Sequence, residues 1–284
     1  MSSYTRPVNR LLDYHPLVDV DELETLDFSD RFDIGPEHIP DLIRMATDKD
    51  LMGEEVSDLE FAAPYYAMLA LKQFHATEAV EPLLSLFDLA QETDNEWISE
   101  DLPQFYAAFG PETIPVLVGY MSDISHHPFA RTNAANALKE ISELHPEVRT
   151  QCIEAIAHAL ETEPDSEDAP AARGFLISDL IDLEAKEAAP VIERAFAQQT
   201  VDESIAGDWD EVQVELGLKD RSELPEKPRF NPFASPPPLD LISSFRPGAS
   251  GEKYLKGFSE PPKASKKKHK EKMAKASRKK NRKR

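Results

Sequence analysis

Five stretches of the chain repeat one arrangement of apolar residues, at positions i, i+3, i+4 and i+7, with polar residues between them. They are Ile39, Leu42, Ile43 and Ala46; Val80, Leu83, Leu84 and Phe87; Ile114, Leu117, Val118 and Met121; Ile153, Ile156, Ala157 and Leu160; and Ala188, Val191, Ile192 and Ala195. At 3.6 residues per turn this spacing puts four side chains on one face, so each stretch predicts an amphipathic helix. A proline lies near the start of four of them (Pro40, Pro82, Pro115, Pro190), where a first turn makes no use of the missing N–H.

Each stretch after the first follows a second helical segment, over Phe61 to Phe74, Ile98 to Phe109, Phe129 to Leu144 and Ala171 to Leu183. The unit is therefore a helix pair. The template stretches begin 34 to 41 residues apart, and a helix pair repeating at that period predicts an all-α solenoid in which each pair covers its neighbour's apolar face. Few β-strand patterns and only ten glycines agree with helix.

Within one pair, Arg131-x-x-Ala134-Ala135-x-Ala137-Leu138, followed by a partner helix from Glu147, resembles the HEAT-like repeats first noted in phycobilisome lyases. The three alanines would let two helices approach closely, and Arg131 could reach a carboxylate or carbonyl of the next repeat. The resemblance implies a right-handed α-solenoid of about four to five HEAT-like pairs over residues 34–216. Such repeats serve scaffolds, adaptors and a few enzymes alike, so the fold does not select a function. Around Val201 to Val212 the chain predicts a turn and a closing helix, with Trp209 capping the apolar end and the acids forming a solvated face.

Charge changes the picture more than composition does. The last 22 residues, from Lys263, carry 13 Lys or Arg and a single acid, Glu271; with the whole chain at −21 and this tail at +12, the first 262 residues stand at −33. A block of like charge that dense is expected to be a disordered arm seeking polyanions. The densest clusters, Lys266, Lys267, Lys268 and Lys270, then Lys279, Lys280, Arg282 and Arg284, are the candidate polyanion-binding residues. The tail has no aromatic residue to stack on bases, so it would neutralise phosphates without selecting sequence. Residues 1–33 form an acidic lead-in, and residues 217–245, with Pro225, Pro228, Pro232, Pro236, Pro237 and Pro238, a Pro-rich linker.

Between linker and tail, residues 246–258 resemble the SEC-C motif, a short zinc-binding module with the pattern Cys-x-Cys-Gly-Ser-Gly-x-x-Tyr-x-x-Cys-Cys. Ser250, Gly251, Lys253 and Tyr254 stand where that family keeps its turn and packing tyrosine, but Arg246, Gly248, Gly257 and Phe258 occupy the four metal positions. None of them ligates zinc, so the segment is expected to bind no metal, and residues 259–284 follow it as the disordered tail.

The remaining chemistry is sparse. His126-His127, before Pro128, reads as an inter-repeat turn, and Cys152, beside the apolar stripe of its helix, as a small core residue. No nucleophile elbow, Walker loop or dinucleotide glycine motif occurs. The acids Asp19, Asp21, Glu22, Glu24, Asp27, Asp30 and Asp33, with Asp48, Asp50, Glu54, Glu55 and Asp58, read either as a solvated lead-in or as a surface for a basic partner. No apolar run approaches the roughly 20 residues of a membrane helix, no signal peptide is evident, and one cysteine fits a reducing compartment, so the reading is cytoplasmic, or nuclear in a nucleated cell.

These observations favour a non-enzymatic scaffold or adaptor without cofactor, whose repeats bind a protein partner and whose tail binds RNA, the ribosome or another polyanion. Two alternatives stay open: a bilin lyase-like enzyme or chaperone using a solenoid groove, and an acidic assembly factor for a basic client.

Overall fold

A computed structural model of the chain describes residues 4–14, 26–53, 56–93, 96–198 and 200–224, the side chains of residues 96 and 97 excepted. Among them every regular element is helical. The α-helices are α1 (Phe28–Phe32), α2 (Ile39–Ala46), α3 (Asp58–Gln73), α4 (Val80–Leu83), α5 (Ser85–Thr93), α6 (Glu96–Phe109) and α7 (Ile114–Ser122). They continue as α8 (Pro128–Leu144), α9 (Arg149–Thr162), α10 (Ala169–Asp182), α11 (Ala189–Gln198), α12 (Glu203–Ala206) and α13 (Trp209–Glu215).

The five template stretches fall on α2, α4 with α5, α7, α9 and α11, the last starting at Ala188, one residue before its helix. Each is introduced by a single turn of 3-10 helix: Pro36–His38, Thr77–Ala79, Pro111–Thr113, Pro146–Val148 and Lys186–Ala188. Three of these turns begin with proline, whose fixed φ suits the first residue of a helix. The second residue of each is an exposed glutamate, Glu37, Glu78, Glu112, Glu147 or Glu187, sited where a negative charge meets the positive end of the following helix.

The second template stretch is not one helix but two. Pro82 supplies no N–H, Leu84 N–H bonds back only three residues to Glu81, and the Ser85 hydroxyl donates to the Pro82 carbonyl at 2.8 Å. A side chain thus competes for a helical acceptor and breaks the run at Leu84. Elsewhere the boundaries have ordinary causes. Ser57 and Glu60 form a reciprocal box at the start of α3, and Asp208 and Glu211 do the same for α13.

Helix α8 is the centre of the packing. It lies against α5, α6 and α7 on the N-terminal side and α9 and α10 on the C-terminal side. The close approaches run through alanine: Ala130, Ala134, Ala135 and Ala137 are fully buried. Helix α10 packs on α9 and α12, and α11 on α9 and α13. Gly174 admits this, because a Cβ there would stand 3.1 Å from Ile205 and 3.2 Å from the Asp202 carbonyl. A single apolar cluster runs from Tyr4 to Leu216, with Trp209 packed against it and stacked obliquely on Phe196.

Residues 4–14 are part of this body. The turn Val8–Asp13 lies on α3, burying Val8 and Leu11, while Tyr14 meets the rings of Phe32 and Tyr66 edge-on. The Tyr4 hydroxyl donates to Asp48 Oδ2 at 2.6 Å beneath the Arg44 guanidinium. Residues 220–224, in a second unit that extends to Arg284, hold one 3-10 turn, Arg221–Glu223, boxed by Asp220 and Glu223.

Candidate functional site

The densest chemistry in the body lies along the seam of α8 and α10. Arg131 and Arg173 stand at matching places on the two helices, each following an alanine and each nearly buried. Arg131 donates from Nη2 to Glu163 Oε1 at 2.7 Å, a carboxylate as expected, but one in the connection after α9 rather than in the next pair. Burial raises the Glu163 carboxyl above its usual range against the opposing pull of Arg131. Arg173 ties three points together: the Glu163 carbonyl at 3.0 Å, Asp165 Oδ1 at 2.6 Å and the Thr200 carbonyl at 3.1 Å. The two guanidiniums thereby hold the connections that follow α9 and α11.

Two turns further along the seam, Lys139 is buried among carboxylates. Its Nζ lies 2.9 Å from Glu140 and 3.8 Å from Asp182, while Asn136 donates to Asp179 Oδ1 at 2.9 Å. Burial opposes the ammonium charge, but Asp179, Glu140 and Asp182 outweigh it and hold Lys139 protonated. Burial also pushes the Asp179 carboxyl up to about 7. Both directions have one origin, since three acids share a single buried cation and the least hydrated of them keeps its proton most readily. The sequence signal for this cluster was faint. Lys139 stands beside Glu140 and Asp179 beside Ser178 in helices of mixed composition, and neither belongs to a recognised motif.

The His126-His127 turn also proves to be partnered on both sides. His126 Nδ1 lies 2.8 Å from Asp88 Oδ2 on α5, with its ring stacked on Tyr120 at 3.9 Å. His127 Nδ1 accepts the Phe129 N–H at 3.2 Å, and its Nε2 lies 3.3 Å from Asp168 Oδ2. Cys152 is fully buried, and burial pushes its thiol up to about 11. A shallow groove of about 280 Å³ opens elsewhere, lined by Leu26, Phe28, Leu69, Lys72, Gln73, His75 and Ala108.

Among the described residues no group of three or more His, Cys, Asp or Glu is placed to hold a metal ion, and no helix is long and apolar enough to cross a membrane. The polyanion candidates Lys266, Lys267, Lys268, Lys270, Lys279, Lys280, Arg282 and Arg284 lie outside the described residues. So do Ser250, Gly251, Lys253 and Tyr254, the linker from residue 225, and the acids Asp19, Asp21, Glu22, Glu24, Glu54 and Glu55.

Among the described residues these elements define an all-helical protein with a charged seam between α8 and α10. The profile of a family described as protein of unknown function (DUF1186) matches residues 30–230, and the chain belongs to that family. No curated protein and no solved structure matches the chain.

Proposed function

We propose that the protein is a non-enzymatic adaptor: a HEAT-like solenoid that holds a protein partner, joined by a Pro-rich linker to a basic arm that engages RNA, the ribosome or another polyanion. The observation that carries this reading is the separation of charge in the sequence, a tail at +12 following 262 residues at −33. A body so acidic would be repelled by nucleic acid on its own, so the arm supplies the attraction and the helix pairs supply another specificity. Joining two weak contacts through a linker raises the affinity of the whole through effective concentration. The cysteine-less SEC-C-like segment at residues 246–258 would add a surface for that arm without a metal. The setting that fits is the cytoplasm.

The test is a salt titration of RNA binding by the full chain beside a chain ending at Pro262. Each phosphate contact on a single strand contributes about −0.7 to the slope of log affinity against log salt. Steeply salt-dependent binding by the full chain and none by the shortened one is the expected result. Equal, negligible binding by both would overturn the nucleic-acid reading and leave the acidic body as a holder of basic protein clients.

A further inference from the structure

Adjacent histidines at the start of α8 meet their nearest partners through different nitrogens, and those partners assign the protons. A backbone N–H can only donate, so His127 Nδ1, which meets the Phe129 N–H at 3.2 Å, must be bare. A carboxylate can only accept, so His127 Nε2, 3.3 Å from Asp168, must bear the hydrogen. His126 is the reverse: its Nδ1 points at Asp88 Oδ2 over 2.8 Å and therefore holds the proton.

The two rings also face different repeats. His126 reaches back to Asp88 on α5 and lies on Tyr120 of α7, with Asp123 of its own turn 3.9 Å from Nε2. His127 reaches forward to Asp168, the residue before α10, while its own carbonyl accepts the Arg131 N–H and its Nδ1 caps α8. The charged neighbours are thus Asp88 and Asp123 for His126, Asp168 for His127, and Arg131 with its partner Glu163 one turn into α8. The turn spans α5, α8 and α10 through two side chains.

Protonation strengthens the contact of each ring with its carboxylate but acts differently on the cap, which only His127 supplies. A second proton on His126 goes to Nε2, which faces Asp123, and tightens the backward strut. A second proton on His127 can go only to Nδ1, where it confronts the Phe129 N–H and removes the cap. We propose that His126-His127 is a pH-responsive joint between repeats: above neutrality it caps α8 and braces both neighbours, and as the medium acidifies the start of α8 is released while the strut to α5 holds. Capping belongs to the neutral form of His127, so it is present at high pH and lost as pH falls through the range in which histidine titrates.

The experiment uses the full chain with ¹⁵N-labelled histidine and amide hydrogen exchange. At pH 7.5 the ring shifts of His127 are expected to show a bare Nδ1 and those of His126 a protonated one. Protection of the Phe129 amide, corrected for intrinsic rates, is expected to fall about fivefold by pH 5.5, the factor corresponding to loss of an ordinary N-cap. In His127→Asn, whose side-chain oxygen caps without titrating, that protection should stay constant. A protonated Nδ1 on His127 at pH 7.5, or equal loss of Phe129 protection in both proteins, would overturn the proposal. The ring-shift measurement needs no variant, so it decides the matter even if His127→Asn fails to fold.

Discussion

Asn136 on α8 donates a hydrogen bond to Asp179 on α10 at 2.9 Å, although Asp179 is buried beside two further acids and one lysine. That bond secures a carboxyl whose charge the site disfavours. In the folded chain Asp179 titrates at about 7, against 3.8 for an unperturbed aspartate. The folded state therefore holds a proton that the unfolded state releases, and the contribution of Asp179 to stability falls as pH rises between about 4 and 7. Asp179→Asn removes that slope. It is expected to be about 1–3 kcal/mol more stable than the parent at pH 8 and near parity at pH 4. Urea unfolding at the two pH values measures the difference, and a slope unchanged by the substitution would contradict it.

The Arg131–Glu163 pair behaves differently, because both partners are nearly out of water and bonded at 2.7 Å. Arg131→Ala strands a buried carboxylate and is expected to lose about 3–5 kcal/mol. Replacing both by apolar residues of similar volume, Arg131→Met with Glu163→Leu, should recover most of that loss. The double-mutant cycle separates the penalty of an orphaned charge from the net worth of the pair.

Three helices end in the left-handed conformation without glycine, the short α1 at Asp33 with φ 62° and two longer ones. His75 follows α3 with φ 48°, and Glu184 follows α10 with φ 50°. In both, the next N–H bonds back across the helix end, Ala76 to Leu71 and Ala185 to Leu180, at 3.0 Å. His75→Gly and Glu184→Gly each relieve a Cβ clash and should raise stability by about 0.5–1 kcal/mol. Gly207, with φ 94°, has the converse requirement, and Gly207→Ala should lower it. Thermal denaturation of the three variants reads both signs.

Cys152 is fully buried with its thiol pushed up to about 11. At pH 8 little thiolate exists and access is closed, so a thiol reagent is expected to label the protein only at the rate of opening of α9. Labelling at the rate of a free peptide thiol would show that α9 is not packed as described.

Helix positions were legible in the sequence because one apolar stripe repeats five times, and α2, α7, α9 and α11 fall on it. The break at Leu84 was not, because it depends on where the Ser85 hydroxyl turns, which periodicity does not register. Arg131 announced its reach through its place before the alanines. Lys139 and Asp179 announced nothing, since a charged residue in a helix of mixed composition acquires meaning only when the facing helix is known. His126-His127 reads as a turn on grounds of Pro128, and a turn it is. Its two partners lie 38 and 41 residues away in sequence and emerge only once α5 and the start of α10 are placed beside it.

Helix α8, covered on one side by α5, α6 and α7 and on the other by α9 and α10, has neighbours in both directions along the chain. The body is therefore held together across α8. It cannot be parted at its middle. Cleavage before Pro128 or after Leu144 would leave each half with an apolar flank that only the other half fits, so separated fragments are expected to find each other rather than fold apart.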